Sequence, residues 1–170
     1  DRGDGTAVYD QRGYYISGSN DIGAYEIFNS DATFGITQNG SRSYTIGNSA
    51  KLLDPTVTLS GEDQLASIEI QISSNYEAGA DYFLLDDMDN FYIEFDEVTG
   101  TLSIQGFATL SEYETALEGV TYINYNPFAS SETKTLLYTL TSYNGTESFD
   151  SMTMTVNAAT ANETNISSVS

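Results

Sequence analysis

The stretch FDEVTGTLSIQGFATLSEYETALEGVTYIN, residues 95–124, decides the fold. Its apolar period changes twice. TGTLSIQG (99–106) alternates apolar and polar residues, TLSEYETALEGV (109–120) places Leu110, Tyr113 and Leu117 at helical spacing, and GVTYINY (119–125) alternates again. Ser111 with Glu114 has capping-box form and Gly119 can end the turn, so the segment predicts a strand, a short helix and a second strand. Leu102 and Ile104, then Leu117, then Val120 and Tyr122 can meet in one core, a packing role that asks no chemistry of them.

The same alternation continues on both sides. SIEIQIS (67–73) sets Ile68, Ile70 and Ile72 against polar neighbours, and FYIEF (91–95) does so with Phe91, Ile93 and Phe95. KTLLYTLTS (134–142) and SMTMTVN (151–157) follow at short spacing with turn residues between. Many short strands so arranged predict an all-β sandwich carrying one short helix. A chain of 170 residues can bury about 70% of its unfolded surface in one core, so one domain with an arm is expected. The expected divisions are an extended N-terminal arm over 1–44, the sandwich over 45–158 and a Ser/Thr/Asn-rich tail over 159–170. In LLDPTVTLSG (52–61), Pro55 is expected to fix φ at the start of a strand.

EAGADYFLL (77–85) followed by residues 95–124 is similar to the cadherin-like repeats of large bacterial surface proteins and to related repeats of animal matrix proteoglycans. The family pattern runs from an acidic G-x-D through T-G-x-L-x-L-x-G to A/T-x-x-x-Y-x-x-A-L-x-x-V-x-Y-x-N. Gly100, Leu102, Gly106, Tyr113, Ala116, Leu117, Val120, Tyr122 and Asn124 fill it here. The resemblance spans roughly residues 45–158 and implies an Ig/cadherin-like sandwich with an extracellular, adhesive or structural role. Family members usually close a strand with F-x-V-x-D-G, whose Asp can help bind calcium. LYTLTSYNGT (137–146) has Ser142 and Tyr143 in the corresponding region, so an expectation of calcium has to rest on other acids.

Composition narrows the chemistry. Twenty-five acidic residues against five basic ones give a net charge of -20, with no His, Cys or Trp. Thiolate nucleophiles, Ser-His-Asp triads and zinc sites of the usual Cys/His kind are excluded. Nucleic acid and anionic membrane would repel such a chain, whereas divalent cations, salt or a basic partner would relieve it. No run of about 18 apolar residues suggests membrane insertion. A chain beginning at Asp1 rather than Met is expected to be a processed product or an excised piece of a secreted or cell-surface protein.

DYFLLDDMDN (81–90) gathers Asp81, Asp86, Asp87, Asp89 and Asn90 in or beside an expected hairpin loop. These are candidate calcium ligands, since calcium takes 6 to 8 oxygens and dense carboxylates supply them. Their spacing matches no EF-hand loop, and a solvated acidic turn is the other reading. Paired carboxylates about 5 to 10 Å apart hydrolyse glycosidic bonds, but nothing singles out a pair, and without Trp for sugar stacking no enzyme is expected. The 13 Tyr could include a sugar platform, although Tyr122 and Tyr138 sit on strand faces that a core would also claim.

DQRGYY (10–15) and DIGAYE (21–26) resemble the closing segment of secreted right-handed parallel β-helix proteins. About 40 residues cannot build such a solenoid, so residues 10–26 are expected to be its remnant or an arm with another partner. TAVY (6–9) and YEIF (25–28) suit strand addition to a neighbour, with Val8, Tyr9, Tyr14, Tyr15, Ile22, Tyr25, Ile27 and Phe28 as the assembly residues. A head-to-tail contact of this kind does not close and makes a filament. The expected function is a non-catalytic structural subunit of an extracellular filament or surface adhesin, built from copies of itself. The alternative is a calcium-dependent carbohydrate-binding or cell-adhesion module. Arg2-Gly3-Asp4 has the form of an adhesion tripeptide, and Asn39, Asn144, Asn162 and Asn165 head sequons that mark glycan positions.

Overall fold

A computed structural model describes residues 35–37, 42–61 and 64–160, and the structural statements that follow concern these residues. Strands β1 (Gly35–Thr37), β2 (Arg42–Thr45), β3 (Lys51–Leu52), β4 (Thr58–Ser60), β5 (Gln64–Ser74) and β6 (Asp81–Leu84) come first. They are followed by β7 (Tyr92–Asp96), β8 (Thr101–Thr109), helix α1 (Leu110–Gly119), β9 (Thr121–Asn124), β10 (Glu132–Ser142) and β11 (Glu147–Asn157). A six-stranded sheet in the order β2-β11-β10-β5-β8-β7 faces a three-stranded sheet β3-β9-β6, and β1 pairs with β4 beside them. The protein is an all-β sandwich with one helix.

Register explains the core. Ile68 stands between Ile104 and Leu140, and Ile70 between Leu102 and Tyr138, so the alternating residues of three neighbouring strands form apolar rows on one face. Phe83 and Tyr122 answer from the smaller sheet, Tyr122 meeting Tyr44 at 5.1 Å edge-on and Phe83 meeting Phe95 at 6.1 Å. In β5 the buried residues Leu65 and Ile68 are three apart rather than two. A bulge at Ala66 inserts the extra residue and turns both side chains inward.

The deciding stretch folds as strand, helix, strand, with different residues at its joints than those expected. Between β7 and β8 the Asp96 carboxylate accepts from the Thr99 hydroxyl (2.8 Å) and then the Val98 N–H (2.8 Å), which together hold it below the usual carboxylate range. Gly100 closes this turn at φ +69, under the ring of Tyr76. The helix is capped by Thr109 with Glu112, not by Ser111 with Glu114: the Glu112 carboxylate accepts from the Thr109 N–H at 2.8 Å while the Thr109 hydroxyl accepts from the Glu112 N–H. Glu114 instead reaches across to accept from the Leu59 N–H of β4 at 2.7 Å, tying the helix to the β1–β4 pair. Tyr113, Ala116 and Leu117 are its buried face.

Two further expectations are corrected. Pro55 does not open a strand: it sits in a turn in which Asp54 accepts from the Thr56 N–H at 3.0 Å, ahead of β4. The sandwich also starts upstream of residue 45, because Met154 to Asn157 of β11 pair in parallel with Arg42 to Thr45 of β2. A parallel edge strand brought back from more than a hundred residues away leaves no local signal.

Gly106 of β8 lies against the loop before β7, where an added Cβ would stand 2.4 Å from the carbonyl oxygen of Asn90. Its own carbonyl accepts the Tyr113 hydroxyl at 2.6 Å, so strand and helix are joined at the same residue. Gly106→Ala should lower stability by about 1–3 kcal/mol, because the obstructing atom is backbone and cannot swing aside. Urea unfolding followed by circular dichroism measures this, and an unchanged midpoint would contradict the close approach.

Candidate functional site

The interior of the sandwich is not purely apolar. Strand period two makes Lys134, Leu136, Tyr138, Leu140 and Ser142 the buried side of β10, so a lysine is placed in the core by the same alternation that buries its neighbours. Lys134 and Asp81 are both fully buried, with their charged groups 2.8 Å apart. The ammonium also donates to the Asn75 carbonyl (2.5 Å) and to Glu132 (2.5 Å), so its three protons meet three acceptors. Asn75 is held there in left-handed backbone, φ 57, and its own side-chain amide donates to the Thr133 carbonyl at 2.8 Å.

Asp81, the first residue of β6, is equally satisfied. Oδ2 takes the Lys134 ammonium and the Glu77 N–H (2.7 Å), and Oδ1 takes the Tyr122 hydroxyl (2.5 Å) and the Asn124 amide (2.7 Å). The G-x-D and Y-x-N residues of the sequence motif therefore converge on one carboxylate. Burial, with the hydrogen bond to Asp81 next in weight, pushes the Tyr122 hydroxyl far above the ordinary tyrosine value, so it serves as a donor. Sequence reasoning gave Tyr122 a packing role and did not see Lys134 at all. The missed signal was a lone cation on the apolar side of an otherwise regular alternation.

A second cation is treated in the same way. Arg42 of β2 stands across Met154 from Lys134 in one row of the sheet, and its guanidinium pairs with the buried Asp54. Lys51 donates to the Ser43 carbonyl at 2.7 Å, bridging β3 to β2. All three basic side chains among the described residues are thus engaged, two of them with acids and Lys51, exposed, with a backbone carbonyl.

The candidate calcium ligands are not brought together. Asp81 is in the strand rather than the loop, and its oxygens are taken by the four donors named above. Asp86, Asp87, Asp89 and Asn90 are exposed on the segment between β6 and β7, where the Asn90 amide donates to Glu112 at 3.0 Å. Among the described residues no group of three or more acidic side chains is placed to hold a metal ion. Tyr122 and Tyr138 belong to the core, so neither is a sugar platform. The exposed aromatic pair is Phe107 with Tyr143, 5.0 Å apart and edge-on. Asn144 is exposed at the tip of the β10–β11 hairpin, its Oδ1 accepting from the Thr146 N–H at 3.0 Å. Asn39, Asn162, Asn165, the Arg2-Gly3-Asp4 tripeptide and the assembly residues Val8 to Phe28 lie outside the described residues.

The two sheets close differently at their two sides. At one side Lys51 and Tyr44 bridge β2 to β3 and β9. At the other, the edges of β7 and β6, which pair with no further strand among the described residues, flank an open cleft of about 520 Å³, lined by Phe83, Leu84, Leu85, Ile93 and Phe95 and bordered by Asp86 and Asp87. No helix among the described residues is long and apolar enough to cross a membrane.

Neither a protein-family model nor a curated protein matches this chain. Among solved structures, a cohesin module from a Clostridium perfringens family 33 glycoside hydrolase aligns at 17% identity and a TM-score of 0.36, over 75% of this chain and 97% of that one.

Removing one partner of the buried pair strands the other charge, so Lys134→Met should lower stability by about 3–5 kcal/mol, with Asp81→Asn in the same chain restoring part of the loss. Urea unfolding of the single and double variants checks this, and additive losses would contradict the coupling.

Alkaline pH supplies a separate check. Burial pushes Tyr113 up to about 12 and raises Tyr122 and Tyr138 further, whereas unfolded tyrosine titrates near 10. Folded-state values above the unfolded one mean that this contribution is intact below about pH 10 and is lost as pH rises toward the folded values. The urea midpoint should therefore fall steeply from about pH 10 to 12, and less steeply in Tyr113→Phe.

Proposed function

We propose that the chain is a non-catalytic cadherin-like repeat that serves as a structural subunit of an extracellular filament or surface adhesin, joined to its neighbours by strand addition. The observation that carries this reading is the open side of the sandwich. Among the described residues β7 is an edge strand with one side unpaired, and Ile93 and Phe95 on its inner side, with Phe91 just before it, are only half-buried. An incoming strand would continue the six-stranded sheet and place its alternate side chains in the cleft beside Phe83 and Leu85. Soluble proteins commonly blunt such an edge with a bulge, a proline or a covering loop, and β7 carries no proline. Residues 6–9 (TAVY) and 25–28 (YEIF) of a neighbouring copy, rich in β-branched and aromatic side chains, are the donor in this reading.

The motif residues support the repeat assignment through their roles. Asp81, Tyr122 and Asn124 form one hydrogen-bonded unit, Gly100 makes a turn that requires left-handed backbone, and Leu102, Leu117 and Val120 are buried in the same core. A carbohydrate-binding reading is favoured by the exposed pair Phe107 and Tyr143, and binding to a glycan array that is lost in Tyr143→Ala would support it.

Leu84 is 42% exposed at the cleft, so a charge there should leave the fold intact while opposing strand docking. The full chain is expected to form longer species with rising concentration in sedimentation and electron microscopy, and Leu84→Asp to remain monomeric. A wild-type chain that is monomeric throughout would overturn the proposal.

A further inference from the structure

We propose that Lys134 and Asp81 become joined by an intramolecular isopeptide bond that ties β10 of one sheet to β6 of the other. This inference stands on the interior geometry and does not depend on how copies assemble.

An amine and a carboxyl group, both fully buried, are held 2.8 Å apart, one on β10, whose register is set by β11 and β5, and one on β6, whose register is set by β9. Contact of this kind turns a reaction between separate groups into one within a single oriented pair, with an advantage equivalent to effective concentrations of about 10⁵ M or more. Burial removes the water that would compete. Keeping two charges in a core is costly, whereas an amide in the same place carries none.

The surrounding groups are those the reaction needs. Tyr122 and Asn124 donate to Oδ1 at 2.5 and 2.7 Å, where negative charge develops when a nucleophile adds to the carboxyl carbon. Tyr122, raised well above the usual tyrosine value by burial, keeps its proton for that bond. Glu132 stands 2.5 Å from the amine with its side chain 31% exposed, which makes it the group able to move protons at nitrogen.

The steps balance without an oxidant or any co-reactant. One proton passes from the Lys134 ammonium to Oδ2 along their hydrogen bond, leaving a neutral amine and a carboxylic acid. The amine lone pair forms a C–N bond to Cγ, and the carbonyl electron pair moves onto Oδ1. Glu132 takes a second proton from the nitrogen and returns it to the Oδ2 hydroxyl. The C–O bond then breaks, water leaves and the carbonyl at Oδ1 re-forms. Ammonium and carboxylate have become an amide and one water, with Glu132 unchanged.

High-resolution intact-mass measurement of the full chain tests this directly. The expected mass is that of the sequence less one water, with peptide mapping that joins a β6 fragment to a β10 fragment through Lys134. Glu132→Gln is expected to form the bond at least about a hundredfold more slowly while keeping the wild-type circular dichroism spectrum. Asp81→Ala is expected to lose no water. A wild-type mass equal to that of the sequence would overturn the proposal, as would a dehydration mapped away from Lys134. Loss of ammonia with a link to Asn124 would overturn the assignment to Asp81.

Discussion

The contact between Lys134 and Asp81 is the constraint from which most of the structure can be derived. A charge taken out of water must be met by opposite charge and by hydrogen bonds, or the fold that buries it does not form. Lys134 needs three acceptors, and they come from the loop after β5, from β6 and from β10 itself. Asp81 needs four donors, and two of them come from β9. A slip of one residue between β10 and β11, or between β6 and β9, would move a strand's inward set to the outside and leave both charges without partners. Apolar packing alone tolerates many arrangements. The buried pair is satisfied in the observed register of both sheets, and breaking it costs far more than its small net contribution to stability.

Local patterns were legible and long-range ones were not. Ile68, Ile70 and Ile72, Leu102 and Ile104, and Tyr113 with Leu117 announced their elements because their apolar period is set by neighbours in the chain. The helix boundary slipped by two residues, since Thr109-x-x-Glu112 and Ser111-x-x-Glu114 are both capping boxes on paper. Glu112 closes the cap on Thr109, whereas Glu114 is drawn away to the Leu59 N–H, a contact 55 residues distant. β2 was read as part of an arm because its pairing with β11 is parallel and remote. The interior site was the least visible part. Asp81 looked like one more acid in a run of them, and what separates it from Asp86 or Asp89 is a lysine 53 residues later in the chain.

The same burial changes how the net charge of -20 is to be understood. A count of five cations suggests a thin scatter of positive charge over the surface. Arg42 and Lys134 instead face inward, one on each side of Met154, and Lys51 is turned to a backbone carbonyl. Of the three described cations only Lys51 is therefore left on the surface, with Asp86 and Asp87 at the mouth of the cleft.

That distribution bears on how copies could join. Like-charged surfaces repel beyond contact, but the repulsion is screened over about 8 Å at physiological ionic strength. The interaction proposed at β7 acts at shorter range, through backbone hydrogen bonds and apolar side chains entering between Phe83 and Phe95. Charge then governs which contacts fail. Acidic faces repel when laid flat against one another, while an edge carrying Ile93 and Phe95 beside the apolar part of the cleft can accept a strand through short-range contacts, with Asp86 and Asp87 at its mouth opposing acids such as Glu26 or Asp10 of a donor. An anionic surface with one open apolar edge thus disfavours side-by-side clumping and leaves end-to-end growth as the contact that electrostatics opposes least.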